Sequence, residues 1–145
     1  MKDIAKPVVT VLIIDDDEDD RKMFCEAVQV VDEGVTCLAA VDGLEALRLL
    51  RTREISLPDF IFLDINMPRM NGKQCLAEIK QTSHLQHIPV IIYTTSKHPK
   101  DIEETKNLGA VHFISKPFHF DDICRSITYV LIGKWDTPLP ENGAG

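Results

Sequence analysis

Pro58-Asp59-Phe60-Ile61-Phe62-Leu63-Asp64-Ile65-Asn66-Met67-Pro68 is the stretch that decides the fold: an apolar run ends on one aspartate, and a Met-Pro turn follows. A short apolar run bounded by prolines reads as a fully buried strand of the parallel type, over residues 59 to 64, with Asp64 at its carboxyl end. That edge of an open α/β sheet is where ligands bind. A carboxylate is costly to bury there unless a cation or a chemical task accompanies it.

Working outward, the N-terminal side offers a lead-in over residues 1 to 7 and a β-rich run, Val8 to Ile14, that stops at Asp15-Asp16-Asp17. From Asp17 to Val30 the apolar positions Met23, Phe24, Ala27 and Val28, continued by Val31, recur at helical spacing, with Asp16 or Asp17 as N-cap. A turn at Asp32-Glu33-Gly34 leads to a strand, Val35 to Ala40. Asp42-Gly43 then opens a helix to Thr52 whose buried stripe is Leu44, Leu47 and Leu50. Beyond the central strand, Asn71-Gly72 precedes a helix to Thr82 with Cys75, Leu76 and Ile79 facing inward. Val90 to Tyr93 is a strand that ends on Thr94-Thr95-Ser96, and a polar helix, Lys100 to Leu108, stops at Gly109. Val111 to Ile114 is the last strand, and after Ser115-Lys116-Pro117 comes a helix from Phe120 to Ile132 with Ile123, Ile127, Val130 and Leu131 on its core face. Strand and helix alternate throughout, which implies a parallel sheet with helices on both faces. The expected organisation is one domain over residues 1–133 and a short tail, 134–145, that carries Trp135 and no output domain.

The 145 residues suit a single domain with its own core. A composition of 44% hydrophobic and 27% charged residues excludes wholesale disorder. The net charge of -7 argues against nucleic acid or an anionic membrane as a direct partner. No apolar stretch is long enough to span a bilayer and no signal pattern opens the chain, so a cytoplasmic location is expected. Cys25, Cys37, Cys75 and Cys124 lie apart in apolar-periodic segments without ligand spacing; they read as small buried hydrophobes, not as a disulfide or metal site.

The residues that end the strands form a set: Asp15 and Asp16 after the first, Asp64 after the third, Thr94 after the fourth, Lys116 after the fifth. In a parallel sheet these ends share one edge. Carboxylates about 4 Å apart repel by about 1 to 4 kcal/mol per pair at effective dielectrics between water and a protein surface. A hard divalent cation answers that repulsion, and Mg²⁺ prefers few carboxylates, several waters and a phosphate. A Thr hydroxyl and a Lys ammonium are the groups a phosphoryl oxygen would then want.

Asp15-Asp16, Asp64 followed by Asn66-Met67-Pro68 and Asn71-Gly72, Thr94, and Lys116-Pro117-Phe118 together resemble the receiver domain of two-component response regulators, from Val8 to Ile132. Each motif alone is weak; the ordered set at successive strand ends is specific. The resemblance implies a flavodoxin-like (βα)5 three-layer sandwich with strand order 2-1-3-4-5. It implies that Asp64 accepts a phosphoryl group from a sensor histidine kinase or phosphotransfer protein. Asp16, Asp64 and the backbone carbonyl of Asn66 would hold Mg²⁺, with Asp15 acting mainly through a bound water. Lys116 would pair with one phosphoryl oxygen and Thr94 hydrogen-bond another. Family spacing counted back from Lys116 selects Thr94 over Thr95, which alternation turns away. Phe113 falls at the aromatic switch position, and Pro117 at a place where the family suggests a cis bond. The interval from Asp16 to Asp64 is a few residues longer than in the commonest members, and the extra length is placed around Leu50 to Pro58. Ile88 to Ser96 resembles the fourth strand of single-domain regulators paired with phytochrome-type kinases. Such regulators often dimerise, which leaves a homodimer through the fourth helix, fifth strand and fifth helix open.

Blander readings hold elsewhere. Asp17, Glu18, Asp19 and Asp20 read as a solvated helix start that complements the helix dipole. His84, His87, His98, His112 and His119 are scattered at loops and element ends without ligand spacing. Phe118, Phe120, Tyr129 and Trp135 are hard to bury together, and some could form a partner surface. Three functions compete. A phosphoacceptor switch would signal through Thr94 and Phe113 and catalyse only its own phosphorylation and dephosphorylation. A phosphohydrolase of the haloacid-dehalogenase type would need an acid-base Asp two residues after the nucleophile, where this chain has Asn66, an amide that transfers no proton. An unphosphorylated pseudo-receiver scaffold would not need every catalytic position filled, as they are here.

Overall fold

The apolar runs become strands and the 3.6-residue stripes become helices in the computed structural model, which describes residues 9–133. In chain order the elements are β1 (Thr10–Ile14), α1 (Glu18–Val31), β2 (Thr36–Ala40), α2 (Gly43–Thr52), β3 (Phe60–Leu63), α3 (Gly72–Gln81), β4 (Val90–Thr94), α4 (Pro99–Asn107), β5 (His112–Ser115) and α5 (Phe120–Leu131). All strand pairs are parallel, in the order β2-β1-β3-β4-β5. The chain reverses its direction of travel between β1 and β3. That switch point is the crevice where doubly wound sheets bind ligands.

Strand alternation sorts the core into two faces. Leu12, Ile14, Ile61, Leu63, Val90 and Ile92 meet Leu47 and Leu50 of α2 and Leu76 and Ile79 of α3. Val11, Ile13, Phe62, Ile91 and Tyr93 meet Phe24 and Val28 of α1 and Ile123, Ile127 and Val130 of α5. Burying one such side chain stabilises the fold by about 1.5 to 3 kcal/mol. The rings of Phe24 and Phe62 lie 4.7 Å apart, centroid to centroid, which clamps α1 over the centre of the sheet.

Each cap fixes where a helix starts. Asp17 accepts from the Asp20 amide, Asp42 from the Glu45 amide, and Asn71 with Gln74 forms a reciprocal capping box ahead of α3. Gly109, at φ 112°, takes the left-handed turn that follows α4. The stretch around Leu50 to Pro58 precedes β3 and so lies at the sheet edge opposite Asp64.

Three expectations are corrected. Leu44 is 46% exposed, and Ala46 takes its place beside Leu47 and Leu50, because α2 turns a narrower stripe inward than the leucine spacing suggested. Cys25 and Cys37 form a disulfide, with Cα atoms 5.7 Å apart. The packing of α1 over β2 makes them neighbours, which no local ligand spacing could reveal. Pro117 does not follow a cis bond; no peptide bond among the described residues is cis. Trp135 and the tail 134–145 lie outside the described residues, and among those described no helix is long and apolar enough to cross a membrane.

Candidate functional site

Strand register brings the polar strand ends together. Ile14 stands opposite Leu63, so Asp15 and Asp64 leave their strands side by side, and the Asp64 amide donates to the Ile14 carbonyl at 3.0 Å. Thr94 stands opposite Ser115, and the Lys116 amide donates to the Thr94 carbonyl at 2.7 Å. Asp15, Asp64 and Thr94 are buried, and the Lys116 side chain is only 9% exposed.

The two oxygens of Asp64 have separate partners. The Thr94 hydroxyl donates to Oδ1 at 2.7 Å and the Asn66 amide nitrogen donates to the same atom at 3.1 Å. Lys116 Nζ lies 3.1 Å from Oδ2. The Asn66 side-chain amide in turn points at the Thr94 hydroxyl from 3.4 Å. Lys116 Nζ also sits 2.7 Å from Asp15 Oδ2 and 2.7 Å from Asp20 Oδ2. Its ammonium is 6.0 Å from the centre of the Tyr93 ring, at the outer limit of a cation–π contact.

Burial and charge oppose each other here. Burial pushes the Asp15 carboxyl up to about 6, against the pull of Lys116 and of the Asp17 amide, which donates to Oδ1 at 2.9 Å; the Asp64 charge adds to the rise. Burial alone would lower Lys116, but Asp15, Asp20 and Asp64 outweigh it and hold the ammonium above its ordinary range. The Tyr93 phenol is raised by burial.

The donor set suits a hard cation. Carboxylate oxygens of Asp15, Asp16 and Asp64 lie within 4.8 Å of one another, and Asp16, unlike the other two, is open to solvent. Asp15 Oδ2 is buried and receives no hydrogen bond, its contact with Lys116 being an ion pair without hydrogen-bond geometry. Oxygen-only ligands with room for water on one side fit Mg²⁺ or a similar divalent ion. Beside this cluster opens a cleft of about 340 Å³ lined by Ile65, Asn66, Met67, Asn71, Lys73 and Asp101.

The structure therefore gathers Asp15, Asp16, Asp64, Asn66, Thr94 and Lys116 at one edge. Thr95 is exposed, as alternation required. Phe113 stays outside the polar cluster: it stands in β5 opposite Ile92, half-buried against the α2 and α3 side of the core. Asp17 caps α1, and Glu18 and Asp19 are exposed, but Asp20 is no solvated residue; it is half-buried and paired with Lys116. Nothing local marks it: α1 begins at Glu18, and an acidic first turn does not show which of its members meets a lysine from the exit of β5. Two further contacts were not legible either. Arg69, at φ 64°, pairs with the nearly buried Asp42, and Lys73 bridges from α3 to Asp101 at 2.7 Å and to Glu104 on α4, with Ser96 donating to Asp101.

Residues 11–128 match the family model described as the response regulator receiver domain. The polar-differentiation response regulator DivK of Brucella anthropi is 33% identical over 108 residues, 74% of this chain and 84% of that one. Among solved structures, the phosphorylated cyanobacterial phytochrome response regulator RcpA superposes with a TM-score of 0.80 at 27% identity, covering 93% of this chain and all of that one. The Mn²⁺-bound form of response regulator Rcp1 gives a TM-score of 0.77 at 26% identity, covering 92% and 99%. Rcp1 of Synechocystis sp. is 28% identical over 131 residues, 88% of this chain and 89% of that one.

Proposed function

This chain belongs to the response regulator receiver domain family and is a phosphoacceptor signalling switch, and we propose that Asp64 is the residue it phosphorylates. The observation that carries the choice is the division of labour at Asp64, with Thr94 on one oxygen and Lys116 on the other. A carboxylate oxygen of Asp64 attacks the phosphorus of a phosphohistidine; the P–O bond forms, the P–N bond breaks, and the electron pair returns to the imidazole. Such transfer asks the protein for alignment and charge neutralisation more than for covalent help. Lys116 offsets charge on one phosphoryl oxygen. The Thr94 hydroxyl, freed from Asp64 Oδ1, donates to another. Asn66 places an amide where a hydrolase would need an acid, so the acyl phosphate meets no acid–base carboxyl at that position.

Receiver domains bind a divalent metal. Mg²⁺ is our choice here, held by Asp16, Asp64 and the Asn66 carbonyl, with Asp15 acting through water; once bound it supplies the positive charge that lets phosphate approach the carboxylates. The Mn²⁺-bound Rcp1 structure supports that reading.

Receiver domains take phosphoryl groups from histidine kinases or phosphotransfer proteins; we infer a sensor histidine kinase as the donor and the cytoplasm as the place where this chain meets it. Readout then passes from Thr94 through Phe113 to the surface of α4, β5 and α5. Ile102, Leu108 and Val111 are exposed there, a face suited to a homodimer or a protein target, with neither nucleic acid nor membrane involved. The chain's own chemistry is limited to gaining and losing this phosphoryl group. Incubation with acetyl phosphate and Mg²⁺ tests the assignment by intact mass. One phosphoryl group is expected on the wild type and none on Asp64→Asn; an equal adduct on both would sink it.

A further inference from the structure

Lys116 has three anionic partners, and they do not have the same prospects. Asp15 and Asp64 belong to the oxygen cluster suited to a divalent cation. Asp20 does not, yet its Oδ2 lies 2.7 Å from Lys116 Nζ, closer than the 3.1 Å to Asp64. An ammonium and a divalent cation compete for the same lone pairs and repel one another. A lysine held only by Asp15 and Asp64 would have to be stripped of its partners before metal could bind. Unpaired at 9% exposure, it would then resist that exchange.

We propose that Asp20 is a positioning residue of the acceptor site, a third anchor that keeps Lys116 paired while Asp64 and Asp15 exchange the ammonium for a divalent cation. Its place is fixed by sequence. Asp17 caps α1 and accepts from the Asp20 amide at 2.9 Å, which locks the first turn. In that first turn, residues 18–20, the Asp20 side chain is half-buried and reaches Lys116, while its neighbour Asp19 is exposed. The Asp20 side chain is 37% exposed, so its pair with Lys116 is partly screened and can persist or loosen as the site fills. The inference rests on reading Asp15, Asp16 and Asp64 as the metal cluster.

The test is calorimetric Mg²⁺ titration of the wild type, Asp20→Asn, Asp20→Glu and Asp19→Asn. Removing the Asp20 charge both weakens the field at the metal and drives Lys116 onto Asp64. Asp20→Asn should therefore bind Mg²⁺ about three- to tenfold more weakly, with Asp19→Asn within about twofold of wild type. Asp20→Glu, which keeps the charge, should recover most of the loss. In metal-free protein, a double-mutant cycle of Asp20→Asn with Lys116→Met followed by urea unfolding should show that the two residues are coupled. If Asp20→Asn binds Mg²⁺ like the wild type, if Asp19→Asn loses as much, or if the cycle shows no coupling, the inference falls and the metal reading stands. If the wild type itself binds no Mg²⁺, both fall together.

Discussion

Alanine at Gly72 would drive a methyl group into the main chain of the acceptor strand's exit. A Cβ built there would sit 2.3 Å from the Asp64 carbonyl oxygen, 2.5 Å from Ile65 Cα and 2.9 Å from the Asp64 carbonyl carbon. These are backbone atoms, so no side chain can swing aside, and α3 must retreat by about 1 Å to reach ordinary contact. The retreat strains the hydrogen bond from the Gly72 amide to the Ile65 carbonyl and lifts Cys75, Leu76 and Ile79 from the core. Overpacking costs about 1–3 kcal/mol and a weakened backbone bond about 1 kcal/mol, while the better helix propensity of Ala returns less than about 1 kcal/mol. The net expectation is a loss of about 1–4 kcal/mol, or roughly 3–15 °C in Tm. Gly43, at the same position of α2, supplies the control. A Cβ there meets Met70 Sδ at 3.2 Å, the far end of a side chain that can swing aside, and Cys75 Cβ at 3.2 Å, where only a slight give is needed, so Gly43→Ala should stay within about 1 kcal/mol of wild type. Urea unfolding measures both, and acetyl phosphate labelling should show slower acceptance only in Gly72→Ala, because only there is the Asp64 carbonyl pushed. A Gly72→Ala protein within about 0.5 kcal/mol of wild type, or a Gly43→Ala protein equally damaged, would refute the packing argument.

Three further outcomes are expected. The Asp15 carboxyl is raised to about 6, so its contribution to metal-free stability is present at low pH and lost as pH rises through that value. Mg²⁺ must displace that proton, and the Mg²⁺-induced rise in Tm should shrink from neutral pH to about pH 5, a dependence absent in Asp15→Asn. Lys73 is held above its ordinary range by Asp101 and then Glu104; Lys73→Met should speed amide exchange in α4 by about three- to tenfold without moving α2 or α5. The Cys25–Cys37 disulfide closes a loop of sequence separation 12, for which the chain-entropy estimate is about 3 kcal/mol. Reductant should lower the Tm of the oxidised wild type and leave Cys25→Ser unchanged; in a reducing cytoplasm the pair would rest as two thiols.

What the sequence made legible follows from the range of the forces involved. Periodicity and punctuation are local, so every strand and helix could be placed to within a residue or two, and Asp15, Asp64, Thr94 and Lys116 each announced themselves by ending a strand. Strand order is not local; the residues implied a parallel sheet, and the order came from the resemblance to receiver domains. Asp20, Leu44 and the Cys25–Cys37 pair depend on how α1 and α2 rotate over the sheet, set by contacts such as Phe24 on Phe62 that pair residues far apart in the chain. An acidic run at a helix start looks the same in sequence whether one member faces water or a lysine from the far end of the domain.

The same distinction explains why Asp64, and not Asp15, is our choice of acceptor. Both are buried carboxylates at adjacent strand ends, and both touch Lys116. Asp15 Oδ1 is tied to the Asp17 amide, its Oδ2 has only the ammonium beside it, and burial lifts its proton affinity; it is placed to orient a cation's water and poorly placed to attack. Asp64 adjoins the open cleft through Ile65 and Asn66, and it alone has a hydroxyl on one oxygen and an ammonium on the other. When a phosphoryl group joins Asp64, those two donors need only follow the charge outward by about one bond length, and the hydroxyl that does so sits at the end of β4, where the loop to α4 begins. The Ser96 and Lys73 contacts to Asp101 tie that loop and α4 to α3, so on this assignment a shift of Thr94 would be felt first at the helix with the fewest buried residues, α4, where only Thr105 is buried. A small movement at the site would thereby be directed toward the surface with least core to resist it.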